Sequence, residues 1–157
     1  MKDDIHSSTI VGWREWVTLP GIGVSWIKAK LDTGARSSAL HAFDIEELAG
    51  GDRVRFSVRP WQRSEEDIVE VECAVHDRRT VRSSSGHTEE RIVVLLEIEI
   101  FGRTVTAETT LSNRDQMGFR MLIGREALRQ GFIVDPGESF VAGRAPRGVR
   151  RRNRGRE

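Results

Sequence analysis

A single cysteine, Cys73, stands in the whole chain, so no disulfide can form within it. No apolar run comes near the roughly 20 residues that a membrane helix needs. The opening residues, Met1-Lys2-Asp3-Asp4-Ile5-His6, lack the apolar stretch of a secretory signal. These absences lead us to expect a cytoplasmic protein with no membrane contact. Gly124-Arg125-Glu126 is not followed by Gly-Lys-Ser or Gly-Lys-Thr, so no P-loop is expected. The four histidines, His6, His41, His76 and His87, have no His-Glu-x-x-His or comparable spacing. No metal and no other cofactor is therefore expected. No internal repeat and no second large domain is visible in 157 residues.

What is present is a globular composition, with 38% hydrophobic and 31% charged residues, enough to build one core. The charge is uneven. Seven arginines and one glutamate lie between Arg144 and Glu157, a net of +6, which leaves about −5 on the rest of a chain whose total is +1. Residues 143–157 have almost nothing to bury, and the composition predicts a disordered arm. Such an arm suits contact with RNA, a ribosome or an acidic partner; a merely solvated tail is the alternative.

The body reads as short strands. In residues 24–31, Ile27, Ala29 and Leu31 face one way and Trp26, Lys28 and Lys30 the other. Val54, Phe56 and Val58 alternate with polar residues until Pro60 stops the strand. Val69, Val71, Cys73 and Val75 repeat the pattern. Residues 92–101 form a long apolar run, and Gly102-Arg103 turns it into residues 104–111, which predicts a hairpin. Helix is expected only around Ile45 to Leu48 and over residues 125–130, the latter ended by Gly131. A short last strand begins at Ile133-Val134, and Asp135-Pro136-Gly137 makes a turn. The sum is an all-β domain with one short late helix.

Chemistry concentrates in Leu31-Asp32-Thr33-Gly34-Ala35. A carboxylate directly after an apolar strand, then a small hydroxyl residue, then glycine, suits an aspartate held in a tight loop. The same tripeptide also occurs in ordinary turns. A second signal follows roughly ninety residues later: Met121-Leu122-Ile123-Gly124-Arg125, leading into the late helix. Together these resemble the retropepsin plan. There the later apolar strand passes through a loop beside Asp-Thr-Gly, and a flap hairpin lies between the motifs. Residues 80–89 occupy the flap position here.

A closer resemblance is to a bacterial and archaeal family usually labelled "ATP-dependent zinc protease". It is carried by Lys28-Ala29-Lys30-Leu31-Asp32-Thr33-Gly34-Ala35-Arg36-Ser37-Ser38-Ala39-Leu40-His41-Ala42. It is also carried by Val81-Arg82-Ser83-Ser84-Ser85-Gly86-His87, Glu89-Glu90-Arg91, Asn113-Arg114, Met117 and Leu122-Ile123-Gly124-Arg125. The similarity spans about residues 9–142, which would be the peptidase domain, with residues 1–8 as an N-terminal extension. The resemblance implies a retropepsin-like barrel. It also implies association with RimK-type ATP-grasp ligases, which add glutamates to a ribosomal protein, and RimB-type trimming of such tails.

Aspartic peptidases place two carboxylates on one water, one as base and its protonated partner as acid. None of Asp44, Asp52, Asp67, Asp77, Asp115 and Asp135 is followed by Thr-Gly or Ser-Gly. A second copy must then supply a second Asp32, so the chemistry predicts a homodimer. Asp32, Thr33 and Gly34 are the candidate catalytic residues, with Thr33 tying the paired loops. Residues 81–87 would close over the peptide. Arg36, Ser37, Arg82, Ser84, Gly86, Arg114, Gly124 and Arg125 are the candidate substrate-binding residues. His41 and His87 lie near the motifs. Viral retropepsins carry an acidic residue two places after the glycine, paired with the later arginine; here that position is Arg36. Arg36 suits a substrate carboxylate, and ion pairs within the chain are the alternative. A zinc-dependent hydrolase and a non-catalytic dimeric module for acidic tails remain competing readings.

Overall fold

The structure, a computed structural model, describes residues 8–82, 85–113 and 118–155. Among the described residues, twelve strands form in chain order. They are β1 (Thr9–Gly12), β2 (Arg14–Leu19), β3 (Val24–Leu31), β4 (Ser38–His41), β5 (Phe43–Leu48) and β6 (Arg53–Val58), then β7 (Val69–Ala74), β8 (Asp77–Arg82), β9 (Thr88–Ile100), β10 (Arg103–Ser112), β11 (Met121–Ile123) and β12 (Phe132–Asp135). Helix α1 (Arg125–Leu128) precedes β12, and α2 (Arg147–Asn153) follows it. The mostly β expectation holds.

Alternation decides which faces meet. Ile27, Ala29 and Leu31 of β3 are buried. In β9, Val94, Leu96, Ile98 and Ile100 are buried while Leu95 and Glu97 are exposed. Each of the valine, leucine and isoleucine side chains contributes about 1.5–3 kcal/mol when fully buried. Strands join in the order β10-β4-β11-β3-β2-β9-β8, and β9 pairs again with β10, closing a ring around this core. The β9–β10 hairpin turns at Phe101 and Gly102, both at positive φ (58° and 74°), as two-residue hairpin turns require.

Strand β11 is the topological feature that matters most. It runs parallel to β3, with Ile123 opposite Leu31, and antiparallel to β4, with Met121 opposite Leu40. A late strand thus lies between two strands that residues 32–37 connect. The first half of β9 pairs with β8, from Asp77 opposite Val93 to Arg82 opposite Thr88, and projects the expected flap hairpin. Its root is tied down. Arg79 bonds Asp77 (3.1 Å) and Glu108 (2.8 Å), and His76 lies 3.1 Å from Glu108. The Arg79 guanidinium holds the Glu108 carboxyl below its ordinary range.

Two expectations are corrected. Residues 45–48 are not helical; they belong to β5, which pairs with β6, Glu46 opposite Arg55 and Glu47 opposite Val54. Strand β6 offers this segment a ladder that local sequence cannot reveal, and Arg55 lies 3.6 Å from Glu46. The Arg-rich end is not disordered over its described residues. Helix α2 packs against Trp16 and Trp61, burying Ala145, with Val149 and Phe140 alongside. Asn153 is buried: its Oδ1 accepts the Gln62 amide (2.9 Å) and its Nδ2 donates to Gln62 Oε1 (2.8 Å). Composition of the tail alone could not show that tryptophans elsewhere provide its docking surface.

Glu15 leads the chain into this second layer. It is fully buried, and its carboxylate accepts the amides of Gly12 (2.7 Å), Val141 (2.9 Å) and Ala142 (3.1 Å). Charge-assisted bonds of this kind offset the cost of burying an ion. Among the described residues no helix is long and apolar enough to cross a membrane.

Candidate active site

Strand β3 delivers Asp32 to its position. The Leu31 amide bonds to Trp13 O (2.7 Å) and the Asp32 amide to Ile123 O (2.8 Å), so the strand end is held from both sides. Asp32 Oδ1 then accepts the Gly34 amide at 2.9 Å, and Asp32 O accepts the Ala35 amide at 3.2 Å. This is a tight turn closed on the carboxylate. A Cβ on residue 34 would sit 3.1 Å from Oδ1, so glycine gives the closest approach. Asp32 itself is half-buried, and Thr33 and Gly34 are exposed.

The rest of the loop rests on β11 and α1. Arg125 N and Glu126 N donate to Ala35 O (2.7 Å) and Arg36 O (3.0 Å). Gly124 N donates to Ser38 Oγ (3.1 Å), a partner that sequence reasoning missed; nothing in Arg36-Ser37-Ser38 distinguishes the second serine. Arg125 Nη1 donates to Thr33 O (3.1 Å), which answers the missing acidic partner: this arginine is tied to the loop backbone. Gly124 and Ser37 likewise touch each other, since a Cβ on residue 124 would lie 2.4 Å from Ser37 O. Arg125, Gly124 and Ser37 are thereby placed as supports of the Asp32 loop.

Arg36 differs. It is exposed and makes no ion pair with any described residue. Arg82 and Gly86 lie at the free end of the flap hairpin, both exposed. Ser84 and Arg114 lie outside the described residues. His41 is buried, His76 lies against Glu108, and His87 is exposed next to Gly86 in the hairpin. Among the described residues no three His, Cys, Asp or Glu side chains come close enough to hold one metal ion.

A closed β ring, a late strand threaded beside an Asp-Thr-Gly turn and a projecting hairpin define the retropepsin-like aspartic peptidase class. The chain belongs to the RimB-like family, described as retropepsin-like aspartic endopeptidase RimB, whose family model matches residues 10–145. Similar curated proteins are named probable alpha-L-glutamate ligase. That of Shewanella pealeana is 44% identical over 136 residues, covering 85% of this chain. That of Desulfotalea psychrophila is 39% identical over 138 residues, covering 87% of this chain. The chain spans about 30% of the length of these curated relatives. A crystal structure of a protein of unknown function from Legionella pneumophila is also similar. Its TM-score is 0.70 at 30% identity, over 85% of this chain and 98% of that one.

Proposed function

We propose that this chain is an aspartic endopeptidase whose dyad consists of Asp32 from each of two copies, and that it cuts glutamate-rich chains such as the poly-glutamate tail of a ribosomal protein. The observation that carries this reading is the Asp32 turn. One carboxylate oxygen is taken by the Gly34 amide, Thr33 and Gly34 face outward, and no second Asp-Thr-Gly exists to complete the acid–base pair.

Two such carboxylates brought together share one proton. The ionised one takes a proton from water, and the resulting oxygen attacks the scissile carbonyl carbon. The protonated partner then supplies the proton to the departing nitrogen, so the C–N bond breaks and one water is consumed. Thr33 ties the two loops across the symmetry axis, and the flap hairpin with Arg82, Ser84 and Gly86 excludes bulk water. Arg36, and with it Arg114, receives substrate carboxylates. The relatives support the acidic substrate: a segment like this one occurs there within polypeptides named probable alpha-L-glutamate ligase.

The test is incubation with an oligo-glutamate peptide and with a neutral peptide of equal length, read by mass. We expect the acidic peptide to be shortened. Arg36→Glu should lower its kcat/KM by at least about tenfold, the worth of one charge-assisted bond. The neutral peptide should change less than about twofold. An acidic peptide that binds but is never shortened would replace this reading with the binding-module one.

A further inference from the structure

Two neighbouring cavities are lined by cations and not by Asp32. One of about 530 Å³ is lined by Arg14, Lys28, Arg63 and Arg154, with Phe119 and Gln62 completing its walls. A second, of about 200 Å³, shares Arg14, Lys28 and Arg154 and adds Arg144 and Arg150. The two form one trough between the outer face of β2 and β3, the 61–63 segment and α2. None of these six cations is in an ion pair with a described carboxylate; Arg152 of α2 instead pairs with Asp67.

The aromatic side chains hold the cations in place. Arg14 stacks on Trp13 and Phe140, with its guanidinium 4.7 and 5.1 Å from the ring centres. The Lys28 ammonium lies 5.4 Å from both Trp16 and Phe140. The polar amides are already spent, because Gln62 and Asn153 bond to each other and Gln62 Nε2 also donates to Gly118 O. Among the described residues, the charged groups left to face the space are cations; Arg14 Nε donates to Ser139 Oγ (3.2 Å) and Arg150 Nε to Ala145 O (3.0 Å), which fixes them without neutralising them. Burial pushes the Lys28 pKa down, and Arg14, Arg154 and Arg63 push it further, so Lys28 senses cations on several sides.

We infer that this trough is a binding site for a compact, multiply charged phosphate ligand, separate from the Asp32 loop. Charge density selects phosphate. A terminal phosphate group brings about −1.5 to −2 in one place, with several acceptor oxygens for guanidinium forks. An extended acidic peptide turns alternate side chains to opposite sides, so it offers one carboxylate per roughly 6.6 Å. Four converging cations in one cavity are better matched by the former. Arg150 and Arg154 also lie beyond residues 10–145, so two of the six cations come from outside the segment that defines the family. That charge density favours a free polyphosphate; an RNA backbone carries one charge per phosphodiester, and its binding is the competing outcome of the test.

Calorimetric titration of the full chain at low salt tests this with three probes: inorganic pyrophosphate, a single-stranded RNA oligonucleotide and tetraglutamate. Arg63 and Arg154 are exposed, so Arg63→Ala/Arg154→Ala should fold normally. Saturable pyrophosphate binding is expected, weakened at least about tenfold in that double variant. It should be unchanged within about twofold in Arg129→Ala, which removes the same kind of charge elsewhere. RNA that binds more tightly than pyrophosphate at the same arginines would replace the polyphosphate by a nucleic-acid backbone; RNA that does not bind supports the free polyphosphate. Absent pyrophosphate binding, equal binding by the double variant, or tighter binding of tetraglutamate at the same arginines would overturn the inference.

Discussion

Replacing Asp32 by Asn should abolish peptide hydrolysis while leaving the fold and the assembly intact. The amide side chain keeps an oxygen where Oδ1 accepts the Gly34 amide at 2.9 Å, so the turn survives. What disappears is the charge that takes a proton from water. A positioned acid or base contributes about 10²–10⁴-fold, and in a symmetric dimer the substitution removes both partners, so kcat should fall by at least about 10⁴. Subunit mixing makes the test specific to a shared dyad. With equal amounts of wild-type and Asp32→Asn chains at exchange equilibrium, about a quarter of dimers carry both aspartates. Activity per wild-type chain should therefore drop to about half. Activity that simply follows the amount of wild-type chain would show that each copy works alone, and the two-copy dyad would be abandoned.

The elements easiest to read in the sequence were those whose burial is one-sided. Strand β3 shows its alternation in Ile27-Ala29-Leu31, which meet the barrel core, while β9 and β10 were legible as a long apolar run and the Gly102-Arg103 turn that folds it back. The Asp32 turn and the strand that threads beside it were legible for a different reason. Both need particular residue types, glycine above all, at close backbone approaches. The short β5 was not legible, since Phe43–Leu48 is a strand only because β6 lies beside it. Nor was α2: its arginines signal solvation, while its docking depends on Trp16 and Trp61, more than eighty residues away in sequence. The role of Arg125 could be guessed only as a charge seeking a charge. Its partner is a backbone carbonyl, that of Thr33, and sequence carries no mark for that.

The same reasoning picks out Gly124 as the position where the fold and the candidate site fail together. Its φ of −94° is open to any residue, so glycine is required there for space alone. A Cβ would sit 2.4 Å from Ser37 O and 2.9 Å from Ala35 O. Both are backbone atoms of the Asp32 loop, and neither can swing aside as a side-chain end would. Relief demands that β11 and the loop part. That separation strains the Asp32 N–Ile123 O, Arg125 N–Ala35 O and Gly124 N–Ser38 Oγ bonds at once. Gly124→Ala should therefore cost about 3 kcal/mol, near the top of the range for overpacking, read as a lower urea midpoint. The fraction still folded should have lost hydrolysis, because the carboxylate is aimed through those bonds. Gly148→Ala provides the contrast. Its added methyl meets nothing within 4 Å and it lies in α2, so it should be neutral or stabilise by up to about 1 kcal/mol. A Gly124→Ala protein as stable and as active as the wild type would mean that the contact between β11 and the Asp32 loop does not hold the site together.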